Sequence, residues 1–201
     1  MTEDNPSVVP FYYDFVSPAT YLAFCDLNRF SREHSVSFEM KPVLLGGIHK
    51  AVEHRAAVMQ GGAKVQWMLR DLQRTARRLG AEFSMNRHFP FSTVSAMRGA
   101  CVAKARGELE PYNDAMFSAV WRDQLNLSDP AVMASVIESA GLDAQTYAAE
   151  IVTPEVKEEL KAATTEAINV GVFGCPSFLV NGEVVFGQDR MHVVAEILAE
   201  S

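Results

Sequence analysis

Four short stretches of this 201-residue chain carry residue types at spacings that could do chemistry. The first is Val16-Ser17-Pro18-Ala19, which follows an apolar, aromatic run and precedes a periodic stretch from Tyr21. Ser17 suits a helix N-cap and Pro18 the first helical position. A hydroxyl at that point can hydrogen-bond to a thiolate, helped by the positive end of the helix. A helix terminus stabilises a nearby anion by ~0.3–2 kcal/mol. At about 1.36 kcal/mol per pKa unit, the dipole alone lowers a thiol by at most about 1.5 units. The competing reading is that Ser17 caps the helix and does nothing else. A disulfide exchanger would need Cys-x-x-Cys at this turn, and the two positions are Ser17 and Thr20.

Cys175-Pro176, directly before a strand-like Ser177-Phe178-Leu179-Val180, is the second stretch. Proline is unusual there unless it shapes a turn. A cis Cys175-Pro176 bond would offer the Cys175 N–H and C=O to an extended peptide, and Cys175 itself is expected to be partly exposed. A trans proline at a strand start is the alternative. The third stretch is Gly187-Gln188-Asp189-Arg190. Asp189 reads equally as an N-cap or as the acceptor of a ligand ammonium, with nearby backbone N–H groups for a carboxylate. The fourth is the aromatic loop from Asn86 to Thr93. Asn86, Phe89 and Pro90 could line an apolar pocket for an aromatic substrate, or the loop could serve as a hydrophobic staple with a Ser92 cap.

Other features point to structure. His49, Glu53 and His54 lack the spacing of a metal site, so no metal is expected. Leu44-Leu45-Gly46-Gly47-Ile48-His49-Lys50 lacks phosphate-loop spacing and reads as a sharp exit from a strand. Arg70, Arg74, Arg77 and Arg78 form a solvated helix face, with Asp71 either functional or paired to Arg74 or Arg78.

The elements that must position these residues follow from periodicity. Strands are expected over 8–15 and 36–43, then at 177–180 and 184–186, joined by the hairpin signal Asn181-Gly182. Helices are expected over 18–31, 64–80, 92–106, 109–122, 129–140, 144–150, 154–171 and from 190 onward. A β-α-β start and an α-β-β-α finish therefore frame a wholly helical middle. The expected class is α/β: a thioredoxin-like domain built from residues 1–45 and 156–201, with an all-helical insertion over 46–155. Gly61-Gly62 is its expected flexible joint.

Composition narrows the partners. A net charge of −7 argues against nucleic acid and anionic membranes. No apolar run approaches the ~20 residues of a membrane span. The acidic start, Met1-Thr2-Glu3-Asp4, is unlike a signal peptide. Cys25, Cys101 and Cys175, odd in number and scattered, do not form a disulfide framework, so a reducing, cytoplasmic setting is expected. Cys25 and Cys101 are expected on apolar helix faces.

Together, Phe11-Tyr12-Tyr13-Asp14-Phe15-Val16-Ser17-Pro18, Leu44–Lys50, Asn86–Pro90, Gly171–Pro176 and Phe186–Arg190 resemble the 2-hydroxychromene-2-carboxylate isomerases, which are grouped with kappa-class glutathione transferases. The resemblance spans nearly the whole chain. It implies a glutathione-dependent enzyme acting on a small aromatic carboxylate, and a homodimer. By the family pattern Ser17 is catalytic and holds the glutathione thiolate, next to Pro18 and Ala19. Cys175 and Pro176 meet the peptide backbone, while Gln188 and Asp189 bind the γ-glutamyl end. The kappa pattern has an asparagine at or near the place of His54, so either His54 substitutes or the contact is lost. A kappa-type transferase or peroxidase, and a non-catalytic glutathione- or peptide-binding module, are the alternatives.

Overall fold

The computed structural model describes residues 7–53 and 62–200. Strand β1 (Ser7–Tyr13) leads through a short turn into α1 (Pro18–His34) and then β2 (Val36–Pro42). Helices α2 (Leu45–Ala51), α3 (Gly62–Leu79), α4 (Val94–Arg106), α5 (Leu109–Trp121), α6 (Pro130–Ser139), α7 (Ala144–Glu150) and α8 (Pro154–Asn169) follow. The chain closes with β3 (Ser177–Val180), β4 (Glu183–Phe186) and α9 (Met191–Ala199). The strands form one sheet in the order β2-β1-β3-β4. β1 runs parallel to β2 and antiparallel to β3, which pairs antiparallel with β4. This is the thioredoxin-like plan with a helical insertion between β2 and β3.

β1 is central because both of its faces are apolar. Phe11 and Tyr13 belong to the large core that also takes in Leu22 and Phe30 of α1 and Met116, Phe117 and Trp121 of α5. Tyr12 points the other way, into a smaller core with Val43, Ile48, Ala167, Val172 and Cys175. The alternation is the period of two of a strand. Aromatic contacts of Phe15 and Phe24 with Phe117 carry the packing from the sheet into the insertion. The helices expected near 129, 144 and 154 form, opened by side-chain caps from Asp129, Asp143 and Thr153. Asn181 and Gly182 both take positive φ, 49° and 86°, as the hairpin turn requires.

One segment departs from expectation. Leu44–Lys50 does not simply leave the strand: Leu45–Ala51 is a helix through both glycines. Gly-Gly is a poor helix former, and the support is tertiary. The Leu45 N–H donates to Asp14 Oδ2 at 2.8 Å and the Leu44 N–H to Thr164 Oγ1 at 3.0 Å. A Cβ at Gly47 would come 3.2 Å from Thr164 Cγ2, so the glycine lets α2 lie close on α8. Helix α1 also runs three residues past 31, ending where Ser35 turns left-handed at φ 53°. No helix among the described residues is long and apolar enough to cross a membrane.

Candidate functional site

Ser17 is the N-cap of α1. Its Oγ accepts from the Thr20 N–H at 3.1 Å, and Pro18 occupies the first turn. Its hydroxyl hydrogen is donated across the fold to the Cys175 carbonyl at 2.9 Å. Residues 158 positions apart thus meet where the helix starts beneath the β3 end of the sheet. The Cys175-Pro176 bond is cis. The Cys175 carbonyl takes the serine hydrogen, while its N–H has no hydrogen-bond partner among the described residues. Both Ser17 and Cys175 are 5% exposed; Pro18 and Ala19 are half-buried beside them and Pro176 is buried.

The turn after β4 joins the same cluster. Gly187 N–H donates to the Pro176 carbonyl at 3.0 Å, which brings Gln188 and Asp189 alongside. Gln188 is half-buried and Asp189 exposed. Asp189 is not an N-cap. Arg190 holds that position in α9 without a side-chain capping bond, and Asp189 Oδ2 instead accepts from Arg190 Nη1 at 2.6 Å. Phe173 and Phe186, both exposed, pair beside the turn with ring centroids 4.8 Å apart and planes tilted by 47°. Gly174 makes this possible, since a Cβ there would lie 2.7 Å from the Phe186 ring.

Asp14 is the principal member that sequence reading missed. Its carboxylate is fully buried and accepts from three segments: Val16 N–H at 3.0 Å, Leu45 N–H at 2.8 Å and the Thr93 hydroxyl at 2.7 Å. Burial raises its pKa above the ordinary value, against the pull of those three donors. A polar residue closing an otherwise apolar strand was the available signal. Thr20 is the other omission. Among the described residues its fully buried Oγ1 is a side-chain oxygen with no hydrogen-bond partner.

The aromatic loop lies against the insertion. Asn86 is buried, with Nδ2 donating to the Val120 and Leu125 carbonyls, both at 2.9 Å, and Oδ1 accepting from His88 N–H. Its polar atoms are therefore occupied in shaping the loop. Phe89 is half-buried, Pro90 is exposed after a cis bond, and Phe89 sits against Trp121. Trp121 Nε1 donates to the Phe15 carbonyl at 2.9 Å, so the loop is linked to the turn that carries Ser17. His54 lies outside the described residues, as does Gly61.

The cysteines correct two expectations. Cys175 is buried rather than partly exposed, because its side chain points into the small core with Tyr12 and Ile48. Burial, and then the Asp14 charge, hold its thiol well above the ordinary value. Cys25 is exposed, whereas Cys101 is buried and its thiol is pushed up to about 12, mainly by burial.

Comparison with known proteins bears on this arrangement. The profile of the DSBA-like thioredoxin domain matches residues 8–199. The chain belongs to that family. The chain is 26% identical over 195 residues to 2-hydroxychromene-2-carboxylate isomerase of Sphingobium xenophagum, covering 96% of this chain and 98% of the relative. It is 28% identical over 213 residues to glutathione S-transferase kappa 1 of Homo sapiens, covering 97% and 92%. Among solved structures, that of a 2-hydroxychromene-2-carboxylate isomerase superposes with a TM-score of 0.86 at 23% identity, over 96% of this chain and 95% of the other. Within the DsbA-like family, this member carries Ser17 and Thr20 at the helix start.

Proposed function

We propose that this chain is a glutathione-dependent isomerase of 2-hydroxychromene-2-carboxylate or a related unsaturated aromatic-pathway acid. One observation carries the reading: a serine hydroxyl, at a helix N-terminus without a dithiol, faces the backbone of the residue before Pro176. The identity to 2-hydroxychromene-2-carboxylate isomerase over nearly the whole chain supports it. When bound, glutathione would supply a thiolate able to add to the substrate's conjugated double bond, turning it into a single bond free to rotate before elimination restores the double bond and the thiolate.

The residues fit such a ligand. Ser17 and the α1 N-terminus offer donors suited to an anionic sulfur. The Cys175 N–H, without a partner among the described residues, and the carbonyl beside it suit pairing with a peptide backbone. Gln188 and Asp189 are the residues for the γ-glutamyl end, with Asp189 sharing its charge between the ligand ammonium and Arg190. Pro18, Ala19 and Pro176 wall the sulfur site, and His54 is assigned the contact that the kappa pattern gives to asparagine. Phe89 and Pro90 are assigned to the acceptor pocket, with Asn86 holding their loop. The Asp14 charge opposes an anion here, so the donors must outweigh it.

A kappa-type transferase is the second reading, favoured by 28% identity to a kappa transferase. Incubation with 2-hydroxychromene-2-carboxylate and glutathione separates the two. An isomerase yields the trans isomer with total glutathione unchanged, and Ser17→Ala loses most of that turnover while keeping its fold. Glutathione consumed mole for mole with product supports the transferase. Neither isomerisation nor consumption, with glutathione bound, points to a non-catalytic binding module.

A further inference from the structure

A hydroxyl has one hydrogen to give. That of Ser17 is given to the Cys175 carbonyl at 2.9 Å, while the Ser17 oxygen accepts from Thr20 N–H. Ser17 therefore cannot donate to a bound sulfur anion without leaving that carbonyl. Leaving that carbonyl costs free energy unless another donor replaces the serine, because a polar group left unpaired is expensive. The other hydroxyl in the turn, Thr20 Oγ1, is buried, and its residue already supplies the N–H that caps onto Ser17.

We propose that Ser17 is released to a ligand thiolate by an amide N–H of the same ligand, which takes over the Cys175 carbonyl. The site thereby activates thiols carried in a peptide and discriminates against thiols without a neighbouring amide. This rests on the reading that glutathione is the ligand and adds to it a specificity device. Several observations bear on it. The carbonyl of Cys175 and its N–H, which has no partner among the described residues, form one acceptor and one donor on a single residue, the pattern that an extended peptide answers. The carbonyl already has a donor in the free protein, so the ligand must replace that donor or share the oxygen with it. A hydrogen bond to a charged sulfur is stronger than one to a neutral carbonyl. The exchange therefore runs toward the sulfur once the carbonyl has a new donor.

The test uses glutathione and an ester analogue in which oxygen replaces the cysteinyl N–H, each saturating wild type and Ser17→Ala. Thiolate absorbance is followed against pH to give the acidity of the bound thiol in the four combinations. The expected result is coupling. Ser17→Ala makes bound glutathione roughly tenfold less acidic, about one pKa unit, and changes the bound ester far less. Equal effects on the two ligands overturn the proposal. A second arm uses glutathione with methyl in place of the thiol. Ser17→Ala is expected to bind this analogue at least as tightly as wild type, because the carbonyl is no longer shared; weaker binding overturns the proposal. Glutathione bound to wild type with the acidity of the free thiol is a different failure, since it removes the thiolate reading itself.

Discussion

The Thr93 hydroxyl donates to Asp14 Oδ1 at 2.7 Å, joining the start of α4 to the end of β1 across 79 positions. The other oxygen of the same carboxylate accepts from Leu45 at the first turn of α2. One buried side chain thus holds the start and the middle of the insertion against the turn that presents Ser17. A neutral amide cannot answer this pattern, because its NH2 would face at least one of the three donors.

Asp14→Asn is therefore expected to destabilise the fold by about 1–3 kcal/mol, the cost of a buried donor left unpaired. Its pH dependence has a definite sign. Burial raises the Asp14 pKa, so the folded chain keeps the proton to higher pH than the unfolded chain. Raising the pH from the ordinary carboxylate value through the raised one then removes stability from the wild type but not from the variant. Urea midpoints taken across that window should show the gap between the two narrowing as pH rises. A widening gap would mean that the three donors outweigh burial.

Thr20→Val tests the unpartnered hydroxyl. Valine keeps the shape and removes an oxygen that makes no hydrogen bond among the described residues, so stability should be unchanged or higher by up to about 1 kcal/mol. The Thr20 N–H cap to Ser17 persists, since it belongs to the backbone. A loss larger than about 1 kcal/mol in a urea melt would show that the hydroxyl has a structural partner.

The thiols should label in an order set by burial. Cys25 is exposed and reacts first in the native protein, though slowly, since the protein around it raises its pKa. Cys101 and Cys175 are buried with raised thiols and should react only on unfolding. Iodoacetamide labelling followed by peptide mass spectrometry gives the order. Native labelling of Cys175 ahead of Cys25 would contradict the packing of Cys175 against Tyr12 and Ile48.

Much of the fold was legible without coordinates, for local reasons. Ser17-Pro18 signalled a helix start, Asn181-Gly182 a tight hairpin, and the apolar run around Phe11 a strand buried on both faces. These signals act through neighbouring φ/ψ and side-chain alternation, which the order of residues determines directly. The absence of a dithiol was equally plain from Ser17 and Thr20.

What the order of residues left open depended on partners far along the chain. Helix α2 forms through Gly46-Gly47 because Asp14 and Thr164 satisfy its first N–H groups, and neither is its neighbour in sequence. Asp189 turned to Arg190 rather than capping α9, a choice made by the geometry of the turn after β4. Cys175 reads as a partly exposed residue in sequence, yet its backbone faces Ser17 while its side chain is packed in the small core. Sequence determined which groups could hold a thiolate. Only tertiary structure decided which donor was free, because a hydroxyl hydrogen goes to whichever acceptor the fold brings within reach, and here that is a carbonyl 158 residues away.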